Sequence, residues 1–247
     1  DVLSGMDLEG ILTTHHNKGA DVTMHLLNVA DPRAFGCVPT DSEGRVTAFL
    51  EKTEDPPTNQ INAGCYVFDR SVIESIPAGR VVSVERETFP GLLADGRLVV
   101  GHVDNSYWRD MGRPDDFTRG SSDLVRGIAP SPLLEGRTGE SLVESSAGIA
   151  GGVLLLSGTA VGRGSEVGAG SRLEGTVVFD GVRIEPGAII HNSIIASGAH
   201  IGANAVIENC VIGEGAHVGA RCELVDGMRV FPGVTIPDAG IRFSSDA

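Results

Sequence analysis

Between Val161 and Ile241 the apolar positions return on a fixed period. Val167, Ile184, Ile201 and Val218 stand 17 residues apart, as do Val161, Val178, Ile195 and Ile212, and so do Leu173, Ile190, Ile207 and Leu224. Two six-residue units and one five-residue unit make each period, with Gly164, Gly181, Gly198 and Gly215 in register. A period of this kind signals stacked supersecondary units. One aliphatic residue per hexad points inward, and the small residue four places on (Ser165, Ser171, Ala188, Ala199, Ala205, Ala216) lies beside it. Gly170, Gly187 and Asn204 between them supply the positive φ of a sharp corner. A helix needs apolar residues at i, i+3, i+4 and i+7, which this period and its many glycines exclude. The pattern predicts a triangular parallel β-helix of four to five coils, a stub of roughly 20 Å at about 4.8 Å per coil.

The first half has a different rhythm. Ser4-Gly5-Met6-Asp7 has the form of a capping box, and Leu8, Ile11, Leu12 and His15 follow helical spacing until Lys18-Gly19. Asp21 to Val29 alternates as a strand, and Phe35 to Val38 and Arg45 to Glu51 form a hairpin around Asp41-Ser42-Glu43-Gly44. Ile61 to Phe68 is an apolar strand, Asp69 opens a short helix, and Glu85 to Ala94 reads as another helix. Arg97 to Val103 is a strand, Tyr107 to Met111 an extended piece, and Arg113-Pro114 starts a helix reaching about Val125. Alternating strands and helices predict an α/β fold. Pro130, Pro132 and the Gly/Ser/Glu-rich stretch through Gly152 read as a connector.

Composition narrows the function classes. The 247 residues suffice for two ordinary cores. A formal charge of −14 without a Lys/Arg run argues against nucleic acid as a partner. Cys37, Cys65, Cys210 and Cys222 show no zinc spacing and read as buried thiols of a reducing compartment. No apolar run approaches membrane-spanning length and no signal peptide is evident, so a soluble cytoplasmic protein with no membrane partner is expected.

Three phrases carry a resemblance. Phe49-Leu50-Glu51-Lys52, Ile61-Asn62-Ala63-Gly64-Cys65-Tyr66-Val67-Phe68 and Tyr107-Trp108-Arg109-Asp110-Met111-Gly112-Arg113-Pro114-Asp115-Asp116-Phe117 precede the repeat in this order. Together they resemble the sugar-1-phosphate nucleotidyltransferases, nearest the branch that joins GTP to mannose 1-phosphate. The resemblance covers nearly the whole chain. It implies the sugar-binding part of a Rossmann-like α/β domain over 1–127, a connector over 128–152 and a left-handed parallel β-helix over 153–247. The left hand comes from the likeness to hexapeptide-repeat proteins, since the general crossover rule favours the other hand.

The resemblance also implies chemistry. A sugar phosphate oxygen attacks the α-phosphorus of a nucleoside triphosphate and pyrophosphate leaves, so the protein aligns anions and neutralises charge with Mg²⁺. Hard oxygen ligands suit that ion. By match to the family pattern, Asp1 and Asp110 hold the metal and count with Lys52 as catalytic. In the same way Glu51 accepts sugar hydroxyl hydrogen bonds, Lys52 faces the sugar phosphate, Asn62 is a sugar-hydroxyl partner, and Gly36 and Gly64 let backbone approach the sugar. The family's Gly-rich loop with an Arg and its Pro-Lys-Pro phrase find no match here. The chain is therefore expected to be the sugar-binding half plus the β-helix, without turnover by itself, in a homo-oligomer formed through the β-helix.

Plainer readings stand beside these. Asp1 could be a terminal acid, Asp110 a turn cap before Gly112, Glu51-Lys52 a solvated pair and Asn62 a strand-edge residue. Trp108 and Tyr107 read as packing, and His15-His16 as a contact to the helix C-terminal dipole. His191, His200 and His217 invite an acyltransferase reading, but the repeat passes through them without a protruding arm, and His200 and His217 share a column facing solvent. A non-catalytic regulatory or assembly subunit of the same family is the other alternative.

Overall fold

Asp7 starts the first helix, because its carboxylate accepts the Glu9 N–H at 3.0 Å. In the computed structural model, which describes residues 2–50, 52 and 54–242, this helix is α1 (Leu8–Lys18). The cap is therefore Asp7 rather than the expected Ser4, which ends a short strand, β1 (Val2–Ser4). Gly19 closes α1 at φ 58°, its N–H reaching back to the last turn. Backbone contacts divide the chain into two bodies, residues 2–108 and residues from Arg109 onward.

The first body is built on a three-stranded sheet. Its centre, β2 (Val22–Asn28), pairs antiparallel with β3 (Gln60–Phe68) and parallel with β4 (Val99–Val103). With both neighbours and both faces occupied, β2 is buried from Val22 to Leu27. One side of the sheet holds Val22, Met24 and Leu26 against Phe89, Leu92 and Val72, which come from α3 (Phe89–Ala94) and α2 (Arg70–Ser75). Phe89 is wholly buried in a ring cluster with Phe49, Tyr66 and Phe68 at centroid distances of 5.1–6.0 Å. A side chain of that size stabilises by about 2–3 kcal/mol on burial, and it fixes α3 and the segment before it. The expected helix from Glu85 instead begins as a π turn, Val84–Thr88, whose start is capped by the Ser83 hydroxyl.

The expected hairpin is present, but as isolated antiparallel bridges, Cys37 to Leu50 and Thr40 to Val46, with no long ladder. Val46 also donates its N–H to Val99, which ties the hairpin to the outer edge of β4. His15 is buried and meets the Thr23 hydroxyl at 3.0 Å through Nδ1. Burial lowers its pKa, so this residue is a core histidine and not the dipole contact expected from its place at the helix end.

The second body opens with the end of β5 (Trp108–Asp110) and with α4 (Pro114–Val125), then winds into a parallel β-helix of about six coils consistent with the left-handed type. Among the described residues two faces carry six strands and the third carries five, all parallel. The inward columns found in the sequence are the core: Ile184, Ile190, Ile195, Ile201, Ile207 and Ile212 are at most 2% exposed. The small residues behave as expected too, since Ser165, Ser171, Ala188, Ala199, Ala205 and Ala216 are fully buried. Cys210 continues the column of Thr159, Thr176 and Ser193, and Cys222 that of Ser171, Ala188 and Ala205. These thiols are space-filling members of a small-residue row, and burial pushes the Cys210 pKa up. All four cysteines are free.

The coils begin earlier than the 17-residue register shows. Val143 pairs with Val161 and Leu155 with Leu173, both 18 residues on, and the same step returns from Ile212 to Val230. The extra residue sits at one corner. Regular coils turn there on a single left-handed residue, Gly175, Asn192 or Asn209, whereas the longer ones use a pair, Ser157-Gly158 or Asp226-Gly227. The Gly/Ser/Glu-rich stretch from Ser141 to Gly152 thus contributes strands of the first coil. Helix α4 lies on this end, its Phe117 stacked on Phe179 at 6.3 Å and its Ser122 hydroxyl donating to Ser157 O at 2.6 Å.

Candidate functional site

A cavity of about 560 Å³ opens in the first body, lined by parts of the hairpin, β3, the π turn and α3. Gly36, Lys52 and Asn62 come to it from three separate stretches, together with Phe35, Glu85 and Arg86. Lys52 and Arg86 bring positive charge and Glu85 a carboxylate. Lys52 is exposed and has no hydrogen-bond or ion-pair partner among the described residues.

Local backbone explains why these positions converge. Gly36, just after a 3-10 turn at Pro32–Ala34, has φ 73°, which a side chain would strain. In β3 the pairing with β2 slips between Met24 and Leu26, so that Ala63, Gly64 and Cys65 bulge opposite His25. Gly64 takes φ 82° in the bulge. The Ala63 carbonyl released from the ladder accepts the Trp108 indole N–H at 2.9 Å, which gives Trp108 a structural duty. Its ring also meets Phe35 edge-on at 6.0 Å. The bulge brings the Asn62 and Tyr66 side chains together: Asn62 Nδ2 donates to the Tyr66 oxygen at 2.6 Å and to Glu85 Oε1 at 2.8 Å. The Gly64 N–H donates to Asn62 Oδ1 at 3.1 Å, and the Tyr66 hydroxyl donates to Glu85 Oε1 at 3.3 Å. Burial first, then the neighbouring Glu85 charge, pushes the Tyr66 pKa up to about 12, so its hydroxyl keeps its proton.

The expected site residues therefore fall into three groups. Gly36, Lys52 and Asn62 share the cavity, and Gly64 holds the Asn62 amide from the bulge. Asp110 belongs to the second body, where its exposed carboxylate has no hydrogen-bond or ion-pair partner among the described residues and faces the bare Cα of Gly112. Asp1 and Glu51 lie outside the described residues. Among the described residues no cluster of three or more His, Cys, Asp or Glu forms a metal cage. A lone hard carboxylate such as Asp110 fits Mg²⁺, which takes few protein ligands and completes its shell with phosphate and water.

Glu85 was missed in the sequence because it reads as an ordinary first-turn helix acid. The only signal was its place four residues before the apolar Phe89, which is too common to notice. In the β-helix, His200 and His217 do share a column, with rings 4.4 Å apart and His200 Nε2 3.2 Å from Glu185. Among the described residues no helix is long and apolar enough to cross a membrane.

Two family models match the chain: "Nucleotidyl transferase" over residues 1–127 and "GMPPB C-terminal domain" over 137–241. A mannose-1-phosphate guanylyltransferase of Mycobacterium tuberculosis is 65% identical across all of this chain, which spans 69% of that relative. Mannose-1-phosphate guanylyltransferase 1 of Arabidopsis thaliana is 36% identical over 70% of the chain and 49% of its own length. The catalytic subunit beta of the Drosophila pseudoobscura enzyme is 31% identical over 62% of the chain and 42% of its own length.

Proposed function

We propose, for a chain that belongs to the nucleotidyl transferase family, that its first body binds the sugar 1-phosphate in guanylyl transfer from GTP to mannose 1-phosphate. GDP-mannose and pyrophosphate are the products. The observation that carries this reading is the cavity shared by Gly36, Lys52 and Asn62, three residues far apart in sequence and each expected at a sugar phosphate. Its volume suits one hexose phosphate with its water. The Lys52 ammonium is the group that meets the phosphate dianion, a charge-assisted contact. Polar side chains on the opposite strand and turn address the hydroxyls, and the Phe35 wall covers an apolar face of the ring.

In the reaction one phosphate oxygen of the sugar phosphate bonds to the α-phosphorus of GTP as the bond to the β-phosphate oxygen breaks. No proton need move, so the protein's task is alignment and charge neutralisation. Asp110, with Asp1, would hold Mg²⁺, whose charge offsets that of the phosphates. Lys52 orients the attacking phosphate. We further propose a homo-oligomer in a reducing compartment, in keeping with four free thiols.

Isothermal titration calorimetry with mannose 1-phosphate tests the binding reading. The unmodified chain should bind mannose 1-phosphate more tightly than inorganic phosphate, and Lys52→Met should weaken it about 10- to 100-fold, the value of a charge-assisted hydrogen bond. Equal affinity for both ligands in the unmodified chain would overturn the proposal.

A further inference from the structure

We infer that Arg109 and Met111 are the positioning residues of Asp110: both are gripped by one face of α4, and between them they hold the backbone of Asp110 where its carboxylate must meet Mg²⁺. This rests on the assignment of Asp110 to the metal and adds what keeps that carboxylate in place.

The Asp110 side chain is not held by its own oxygens. It is exposed at the end of β5 and makes no hydrogen bond or ion pair with the described residues. Its two neighbours are placed differently. Side chains alternate along an extended chain, so Arg109 and Met111 leave the backbone on the side away from Asp110, and both reach α4. Arg109 Nη2 donates to Asp123 Oδ2 at 3.0 Å, and Nη1 lies 3.6 Å from Asp116 Oδ1. The three side chains are only 27%, 17% and 27% exposed, so water screens these charge-assisted contacts weakly. Met111 lies over Gly120: a Cβ at that glycine would stand 2.7 Å from Met111 Sδ and 3.5 Å from Arg109 Cδ.

Asp116, Gly120 and Asp123 follow one another at i, i+4 and i+7, which is a single stripe of the helix. Glycine weakens a helix interior. Here it is buried and opens the notch that Met111 fills, between the two acids that take Arg109. The forked guanidinium spans both acids, which a single ammonium cannot do. The helix is itself seated on the β-helix, through Phe117 on Phe179 and the Ser122 hydroxyl on Ser157 O. The backbone of Asp110 is thus fixed from both sides by contacts that leave its carboxylate bare. Mg²⁺ demands near-ideal octahedral geometry, and a ligand placed in advance spares the cost of ordering it on binding.

Mn²⁺, a paramagnetic stand-in for Mg²⁺, is titrated into the isotope-labelled chain, and its binding is read from the broadening of the Met111 and Gly112 amide resonances. These amides should broaden in the unmodified chain, and Asp110→Asn should abolish the broadening. Arg109→Met and Gly120→Leu should each need about 10-fold or more Mn²⁺ for half-broadening, with the amides of Ile195 and Ile212 in the β-helix unshifted. The sign separates positioning from charge. Arg109→Met removes a cation near the metal, so electrostatics alone would tighten Mn²⁺ binding, and Gly120→Leu leaves the charge untouched. Arg109→Lys keeps the charge but meets one acid only, so it should weaken Mn²⁺ by a smaller factor and stands in if Arg109→Met does not fold. If these variants hold Mn²⁺ beside Asp110 as tightly as the unmodified chain, or more tightly, the inference fails although the metal reading of Asp110 stands. A lowered melting temperature with unchanged Mn²⁺ affinity is that same failure, because it marks a purely structural role. If Mn²⁺ leaves Met111 and Gly112 sharp in the unmodified chain, or broadens them equally in Asp110→Asn, the metal reading itself fails, and the inference with it.

Discussion

Asp104 shows how much one side chain can organise. Its Oδ2 accepts the Asp7 N–H and its Oδ1 the Ser106 N–H, both at 2.8 Å, and its carbonyl accepts His25 Nε2–H at 3.0 Å. His25 Nδ1 is left buried without a partner. Hydrogen bonding from Ser106, aided by the Asp7 N–H, lowers the Asp104 pKa to about 2. A carboxylate whose folded pKa is depressed adds stability above its unfolded value near 4, and that stability disappears as pH falls toward 2. Asp104→Asn should cost about 1–2 kcal/mol at pH 6 and almost nothing near pH 2, read as the difference in urea unfolding free energy between the two proteins. A difference that does not change with pH would show that the ionised form is not what the fold uses. Only the contact to Ser106 is local; Asp7 lies 97 residues and His25 79 residues before Asp104, so the sequence does not mark the residue as the point where they join.

At the scale of elements, the β-helix was legible because its inward side chains repeat in sequence as they stack in space. The coil count was not, because the first and last coils carry an extra corner residue that breaks the 17-residue register. Ile195 is fully buried at the middle of this core, with Val178 and Ile212 on the neighbouring rungs. Ile195→Ala should destabilise the second body by about 2–5 kcal/mol, from lost transfer energy and the cavity left behind. Coils contact only their neighbours, so amide exchange should accelerate most on the rungs of Val178 and Ile212 and least on that of Val143. The bulge in β3 is the contrasting case. Asn62-Ala63-Gly64 hinted at a break in the strand, yet the slip in register depends on β2 and is supported by Trp108, both remote in sequence.

For the molecule as a whole, two bodies with separate cores should melt separately. The aromatic cluster around Phe89 and the aliphatic columns of the β-helix share no residue. Scanning calorimetry should resolve two transitions, of which Ile195→Ala lowers only one. A single transition that shifts as a unit would contradict two independent cores.

Sequence alone determined the β-helix, its inward columns and small-residue rows, the α/β character of the first half, and the family to which the three phrases point. Each is written in a local period or a contiguous phrase, and both survive projection onto one dimension. Tertiary structure decided which polar groups meet. Glu85 lies 23 residues beyond Asn62, and only the bulge in β3, the π turn and the burial of Phe89 bring the two together. A hydrogen bond depends on distances of tenths of an ångström between remote atoms, and no period or composition encodes those.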